Sequence, residues 1–353
     1  MNKKIKILQG NCIDKIKELE DNSIDCVVSS PPYFGLRDYG VDKQFGLEKT
    51  YQDYLANTVK VFETFKPKLK DTATIWWNVG DTYSNHKDCK SIGQTLAKGT
   101  SREKAHEIKK GKSHTRDSKL LKASGLKDKD LMMIPNRVAI ALQDAGWYIR
   151  SEIIWHKPNP MPESVRDRPT SCHEKIWLIT KNKKYYYDHE AIKEPITDTT
   201  AIRLLQKNID NQKGSSRANG GMKSNGNMKA IGRKKFDKNM GGSGTSFVDH
   251  SGYKKADGTY MINPTRNKRN VWTVTTKPFK GSHFATFPKD LIEPCIKAGC
   301  PEDGIVLDPF GGAGTTGIVA SLNNRNSILI ELNPEYIKLA KDRIEKELGL
   351  FNG

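Results

Sequence analysis

GIVLDPFGGAGTTGIVA, residues 304–320, decides the fold. It opens on an apolar run, Gly304–Asp308, of the kind that makes a buried strand. It then passes glycines at 311, 312 and 314 and enters a helical pattern, Thr315–Leu322. Glycines between a strand and a helix permit a tight turn and let backbone approach a ligand closely. The helix start adds unpaired N–H groups. A second strand pattern, Ser327–Leu332, carries the acid Glu331, 17 residues after Gly314. An acid so placed can accept both hydroxyls of a ribose. A last helix, Pro334–Leu348, completes a strand–loop–helix–strand–helix unit that reads as a nucleoside-cofactor site.

The loop also restricts the cofactor. No lysine follows the glycines, so a nucleoside-triphosphate loop is excluded. Gly312-Ala-Gly314 followed by Thr-Thr-Gly317 approaches the dinucleotide pattern, which keeps NAD as a competitor. Asp308, however, would repel a pyrophosphate and suits a cofactor bearing an ammonium group and a positive charge, as S-adenosylmethionine does. Only 45 residues follow Asp308, too few to finish a dinucleotide domain. N-terminal strands must therefore complete the sheet, and a circularly permuted order is expected.

Outward from this unit, strand patterns fall at Lys4–Leu8, Ile24–Val28, Thr72–Val79, Tyr148–Trp155 and Lys175–Lys181. Helical spacing falls at Asp14–Leu19, Tyr51–Phe65, Ile134–Ala145 and Lys289–Ala298, the last with a kink or break expected at Pro294. Strands alternating with helices predict an α/β fold, a mostly parallel sheet with helices on both faces. Trp76 and Trp77 read as core aromatics.

IDCVVSSPPYFGLRDYG places Ser30-Pro31-Pro32-Tyr33 just past a strand's carboxyl end, where open α/β sheets bind ligands. An exocyclic base amine is a poor nucleophile, because its lone pair is delocalised into the ring. A serine hydroxyl and a proline carbonyl can accept its N–H bonds, and proline holds that carbonyl without reorganisation. Tyr33 offers a flat face to an extruded base. With the glycine loop following it in the chain, this motif resembles that of the β-class DNA amino-methyltransferases. NVGD (78–81), WYIRSEIIWHKPNPMPES, RPTSCHEKIWLITK and GSHFATFP extend the resemblance over about residues 5–84, 130–195 and 270–345.

The resemblance implies a Rossmann-like methyltransferase fold and S-adenosylmethionine as cofactor. It implies that Ser30, Pro31, Pro32 and Tyr33 are catalytic. Phe310, Gly312, Gly314 and Thr315 would line the cofactor, with Asp308 facing its ammonium and Glu331 its ribose. His283 and Thr286 would wrap the methionine tail. The family usually has Gly-Asp near the first strand; here Gly10-Asn11 stands instead, so Asn11 would accept from the adenine amine without charge, with Asp14 as the substitute. His173 and Glu174 adjoin a strand and are expected to order it. Cytosine-C5 methylation needs a cysteine nucleophile, but Pro294-Cys295 falls within a helical pattern, so Cys295 is expected to be a buried thiol.

Composition supplies the partner. The 353 residues hold 59 Lys+Arg against 41 Asp+Glu, a net charge of +18. Residues 84–125 carry 11 Lys+Arg and 4 acids, and residues 203–238 carry 10 and 2, so two stretches hold +15 of that excess. Such a concentration points to a phosphate backbone, and double-stranded DNA is the expected partner. The catalytic domain is then 1–83, 126–194 and 271–353. A basic, DNA-contacting insertion is expected at 84–125. A partly disordered target-recognition region is expected at 195–270, with Arg233, Lys234 and Lys235 on DNA phosphates. The six cysteines form no C-x-x-C pair and no zinc site is expected. No membrane span or secretory leader is read, so a cytoplasmic enzyme is expected, as a monomer or homodimer. A cognate restriction endonuclease is the partner the resemblance leaves open.

The expected reaction is site-specific transfer of a methyl group to cytosine N4, toward which the serine form of the motif leans. Adenine N6 is the alternative. Methylation of RNA or of a protein glutamine, and a catalytically silent DNA-binding protein, are further rivals.

Overall fold

The computed structural model describes residues 3–36, 44–84, 124–199, 202, 253–254, 260–261, 265–276 and 287–349. His283, Thr286, Arg233, Lys234 and Lys235, and most of both basic stretches, lie outside these residues.

Two compact units are present, one of Met1–Asp188 with Asn270–Gly353, the other His189–Arg269. The larger is built in chain order from β1 (Ile5–Gln9), α1 (Cys12–Lys17), β2 (Ile24–Ser29), α2 (Tyr51–Phe65), β3 (Leu69–Val79), α3 (Ile134–Asp144), β4 (Tyr148–His156) and β5 (His173–Thr180). After the smaller unit come β10 (Val271–Thr273), α4 (Lys289–Gly299), β11 (Ile305–Asp308), α5 (Thr315–Leu322), β12 (Asn326–Glu331) and α6 (Pro334–Leu348). The smaller unit has two described antiparallel pairs: β6 (Glu194–Pro195) with β9 (Thr265–Arg266), and β7 (Tyr253–Lys254) with β8 (Tyr260–Met261). Arg266 and Arg269 of that unit both reach the Glu194 carboxylate.

The sheet of the larger unit has the order β1-β12-β11-β2-β3-β5-β4-β10. All neighbours are parallel except where β5 pairs β3 and β4. The last two long strands of the chain thus lie between the first two. Side-chain alternation sends Ile328 and Ile330 of β12 into the larger core cluster, with residues of α1, α2 and α3. Leu329 between them packs with Ile318 of α5 and Ile344 of α6. Helices therefore cover both faces. β2 is buried at all six positions, as a strand at the centre of such a sheet must be.

Local signals explain the boundaries. Thr50 caps α2 through Asp53 N–H, and Asn333 caps α6 through Glu335 N–H with Pro334 next. Gly349 ends α6 in the left-handed conformation, φ 63°. Pro294 does not break α4, which runs continuously from Lys289 to Gly299. The burial of Leu291, Ile292, Cys295 and Ile296 compensates the lost backbone hydrogen bond. No helix among the described residues is long and apolar enough to cross a membrane.

Candidate functional site

β11 and β2 are parallel neighbours whose chains leave in opposite directions, to β12 on one side and β3 on the other. A crevice opens at such a switch point, outside the carboxyl ends of the strands. Asp308 ends β11 and Ser29 ends β2. The Ser29 hydroxyl donates to Asp308 Oδ1 at 2.6 Å, tying the two strand ends together. Thr316 Oγ1 donates to Asp308 Oδ2 at 2.6 Å and Phe310 N–H to Oδ1 at 3.1 Å. Burial pushes this carboxyl above its ordinary range, although all three donors oppose the shift.

A cavity of about 280 Å³ occupies the crevice. Its wall includes Gly10, Asn11, Cys12 and Ile13 after β1, Ser30 and Pro32 after β2, Pro309, Phe310 and Gly312 after β11, and Glu331 to Asn333 after β12. Glu331 accepts Gly312 N–H at 2.9 Å and Asn333 N–H at 2.8 Å. The Leu332 N–H also faces this carboxylate, which has about four lone-pair sites in all when ionised. Burial raises the Glu331 carboxyl as well. Asn11 lies on the wall but its carboxamide oxygen also caps α1, accepting Ile13 N–H at 2.9 Å. Asp14, the expected substitute, is exposed on α1. Burial pushes the Cys12 thiol up to about 12, which keeps it protonated.

Three expected cofactor contacts sit elsewhere. Asp308 is 2% exposed and absent from the wall; its oxygens are spent on organising the loop. Gly314, at φ +76°, faces α6, where an added Cβ would meet Ala340 and Ile344 at 3.2 Å. The Thr315 hydroxyl accepts from Arg343 Nη1 at 2.8 Å, and the same nitrogen reaches the Ala313 carbonyl at 3.2 Å. α6 thus braces the loop from behind, a contact between residues 28 apart in sequence that no local pattern announces. Phe310 and Gly312 do line the cavity.

Glu48 and Asn57 also line it, and neither was expected. Glu48 accepts Gly46 N–H at 3.0 Å and Asn57 Nδ2 at 3.1 Å, and burial raises its carboxyl. Phe45, beside it, packs on Phe310 with centroids 5.3 Å apart. Nothing in the sequence marks Glu48 or Asn57: Glu48 sits in a stretch of mixed polarity, QFGLEKT (44–50), before α2.

The motif after β2 forms a second layer. The Ser30 hydroxyl lies 3.2 Å from the Tyr33 hydroxyl, which is 3.1 Å from Asn78 Oδ1 and 2.6 Å from Glu174 Oε2. Burial and the facing Glu174 carboxylate push the Tyr33 phenol well above its ordinary value. Glu174 pairs with Lys157 on its other oxygen. Its role thus differs from the strand-ordering one expected: being near the start of β5, it reaches the motif because β5 runs against its neighbours. His173 beside it is exposed. The Pro32 carbonyl accepts from Tyr54 Oη at 3.2 Å. Pro31 and Tyr33 are not on the cavity wall; Pro31 is buried and Tyr33 half-buried. Trp77 is fully buried against Phe310, as a core aromatic. Cys295 is buried in α4, as expected of a thiol that is no nucleophile.

The Tyr33 ring rests on Gly80. A Cβ there would lie 2.4 Å from Tyr33 Cε2 and 2.8 Å from Cδ2. Gly80→Ala is therefore expected to displace the ring and slow turnover by about tenfold or more, while cofactor affinity, set across the crevice, stays within about twofold. Rate and calorimetry on the same preparation check this.

The wall suits a nucleoside carrying a cationic tail: aromatic and aliphatic surface for a base, one carboxylate at a strand end for a diol, and a second, Glu48, beside the motif. The DNA methylase family model for N6/N4 methyltransferases matches residues 24–342. The chain is 39% identical to type II methyltransferase M.SmaI of Serratia marcescens, over 96% of this chain and 90% of that one. It is 38% identical to M.XycI of Xanthomonas campestris pv. cyanopsidis, over 96% and 87%. Among solved structures it is similar to the cytosine-N4-specific PvuII DNA methyltransferase, with a TM-score of 0.57, 16% identity, and coverage of 97% and 87%. A DNA modification methylase assignment from Thermus thermophilus, complexed with S-adenosyl-L-methionine, gives 0.53, 17%, 98% and 95%. A motif of polar acceptors beside a cavity at the switch point is what that ancestry calls for, and the chain belongs to the DNA methylase family of N6/N4 amino-methyltransferases.

Proposed function

We propose that this enzyme methylates the N4 amine of a cytosine extruded from double-stranded DNA, with Ser30 and the Pro31 carbonyl accepting the amine's hydrogens. The observation that carries the reading is Ser30 itself. It lines the same cavity as Phe310 and Gly312 and hydrogen-bonds Tyr33. Two acceptors on one –NH2 group favour a pyramidal nitrogen with a usable lone pair. Both are prearranged, one by proline, the other by the tyrosine network. The bound cofactor supplies a methyl group on a sulfonium, open to direct displacement. Glu331 would hold its ribose, Asn11 would face its adenine, and Glu48 would face the ammonium that Asp308 is too enclosed to meet. Phe45 and Phe310 exclude water from the same space. The serine at the first motif position favours cytosine over adenine.

Target choice is assigned to the basic stretches, where the chain's charge is concentrated. Digestion and mass spectrometry of DNA from cells expressing the protein tests the base: N4-methylcytosine is expected, and N6-methyladenine alone would move the reading to adenine. Sequencing with modified-base detection gives the site. Glu331→Ala is expected to weaken S-adenosylmethionine by about 1–3 kcal/mol, the cost of stranding hydroxyls without an acceptor. Calorimetry showing unchanged affinity would remove Glu331 from the ribose.

A further inference from the structure

Tyr33 has a single hydroxyl proton and, among the described residues, three hydrogen-bonding neighbours. Asn78 turns its carbonyl oxygen to Tyr33, because its Nδ2 donates to the Lys175 carbonyl at 3.2 Å. Glu174 presents Oε2 at 2.6 Å, while its Oε1 receives Lys157, a side chain that has only donors. Lys157 is itself held over the Trp155 ring, 4.3 Å from the centroid. Two of the three neighbours therefore accept, and the nearer takes the proton. The third neighbour, Ser30, can only donate to the oxygen that remains.

We infer that Glu174 and Lys157 are positioning residues that fix the direction of a hydrogen-bond chain running Ser30 to Tyr33 to Glu174, so that Ser30 presents lone pairs and not a proton to the target amine. The direction matters chemically. With its proton committed to Tyr33, Ser30 Oγ can accept an N–H of the amine. Reversed, the Ser30 proton would point at the amine's lone pair and bind the electrons the reaction needs. Asn78 and Glu174 together make that reversal costly, because Glu174 Oε2 and Asn78 Oδ1 would both face the phenol oxygen without a donor. This inference rests on the function proposed for Ser30 and assigns the residues behind it.

The test is single-turnover methylation of unmethylated plasmid DNA by preformed enzyme–S-adenosylmethionine, for Tyr33→Phe, Glu174→Gln, Ser30→Ala and the pairwise combinations. Calorimetry with the cofactor alone accompanies each variant. Tyr33→Phe keeps the ring and loses only the hydroxyl. It is expected to slow transfer by about tenfold to a hundredfold, and Glu174→Gln by about tenfold, with cofactor affinity within about twofold of wild type. In the Ser30→Ala background neither change should slow the residual reaction further, since the chain no longer ends on an acceptor. A Tyr33→Phe enzyme at wild-type rate, or losses that multiply in the Ser30→Ala background, overturns the chain. A Glu174→Gln enzyme at wild-type rate removes Glu174 from it. Should Glu174→Gln lose cofactor binding by misfolding, the Tyr33→Phe comparison still decides. A silent Ser30→Ala would sink the proposed function itself, whereas a dead Ser30→Ala with a silent Tyr33→Phe sinks only this inference.

Discussion

Ser30→Ala is expected to cut single-turnover methyl transfer by about a hundredfold to a thousandfold while S-adenosylmethionine binds as before. Alanine removes an acceptor that stands beside the cavity and leaves Pro32, Phe310 and Glu331, which shape it, in place. The backbone can also keep its course, because the neighbouring prolines hold it and Tyr54 holds the Pro32 carbonyl. A loss of rate with unchanged calorimetry is the signature of a group used in the transition state and not in cofactor binding. A wild-type rate would remove Ser30 from the chemistry.

Asp308→Ala should act in the opposite sense, on stability and binding together. Three donors converge on this carboxylate: the Ser29 hydroxyl, the Thr316 hydroxyl and Phe310 N–H. Truncation strands all three in a buried site and opens a void between β2 and β11. A loss of about 3 kcal/mol or more is expected, with a fall in Tm on the order of 10 °C. S-adenosylmethionine affinity should drop as well, since the Phe310–Gly312 turn loses its anchor. Asp308→Asn should cost less, because hydroxyl partners can turn round to accept from the amide. Thermal unfolding with and without cofactor measures both effects. An alanine variant as stable as wild type would mean that the ladder alone holds these strands.

Much of this was legible in the chain. The patterns around residues 51–65, 315–322 and 334–348 mark their helices to the residue, because caps, prolines and terminal glycines are local signals. The glycine loop and the Ser-Pro-Pro-Tyr turn were visible for the same reason. Direction was not: the apolar run that reveals β5 reads the same whether a strand runs up or down, so the reversal that carries Glu174 to Tyr33 left no trace. The short edge strand β10 offers three residues, too few for a pattern. The tie between Asp308 and Ser29 spans 279 residues, so no local pattern announces it. Glu48 and Asn57 depend on how a loop folds back over α2, and loop geometry of that kind has no periodicity to read.

The strand order also imposes a timetable on biosynthesis. Among the described residues β1 pairs only with β12, and β2 meets β11 on one side, so the two oldest strands are joined through the two youngest. A nascent chain that has emerged as far as α4 has β2, β3, β5 and β4 available for pairing, yet β1 has no partner and the crevice has only one lip. Closing the sheet then requires contacts across some 320 residues, such as Ile5 with Ser327, which is slow compared with local pairing. On the proposed reading, in which Glu331 holds the ribose, the methyl donor is held only once the last strands have left the ribosome, and a chain cut short before Glu331 is expected to be inert.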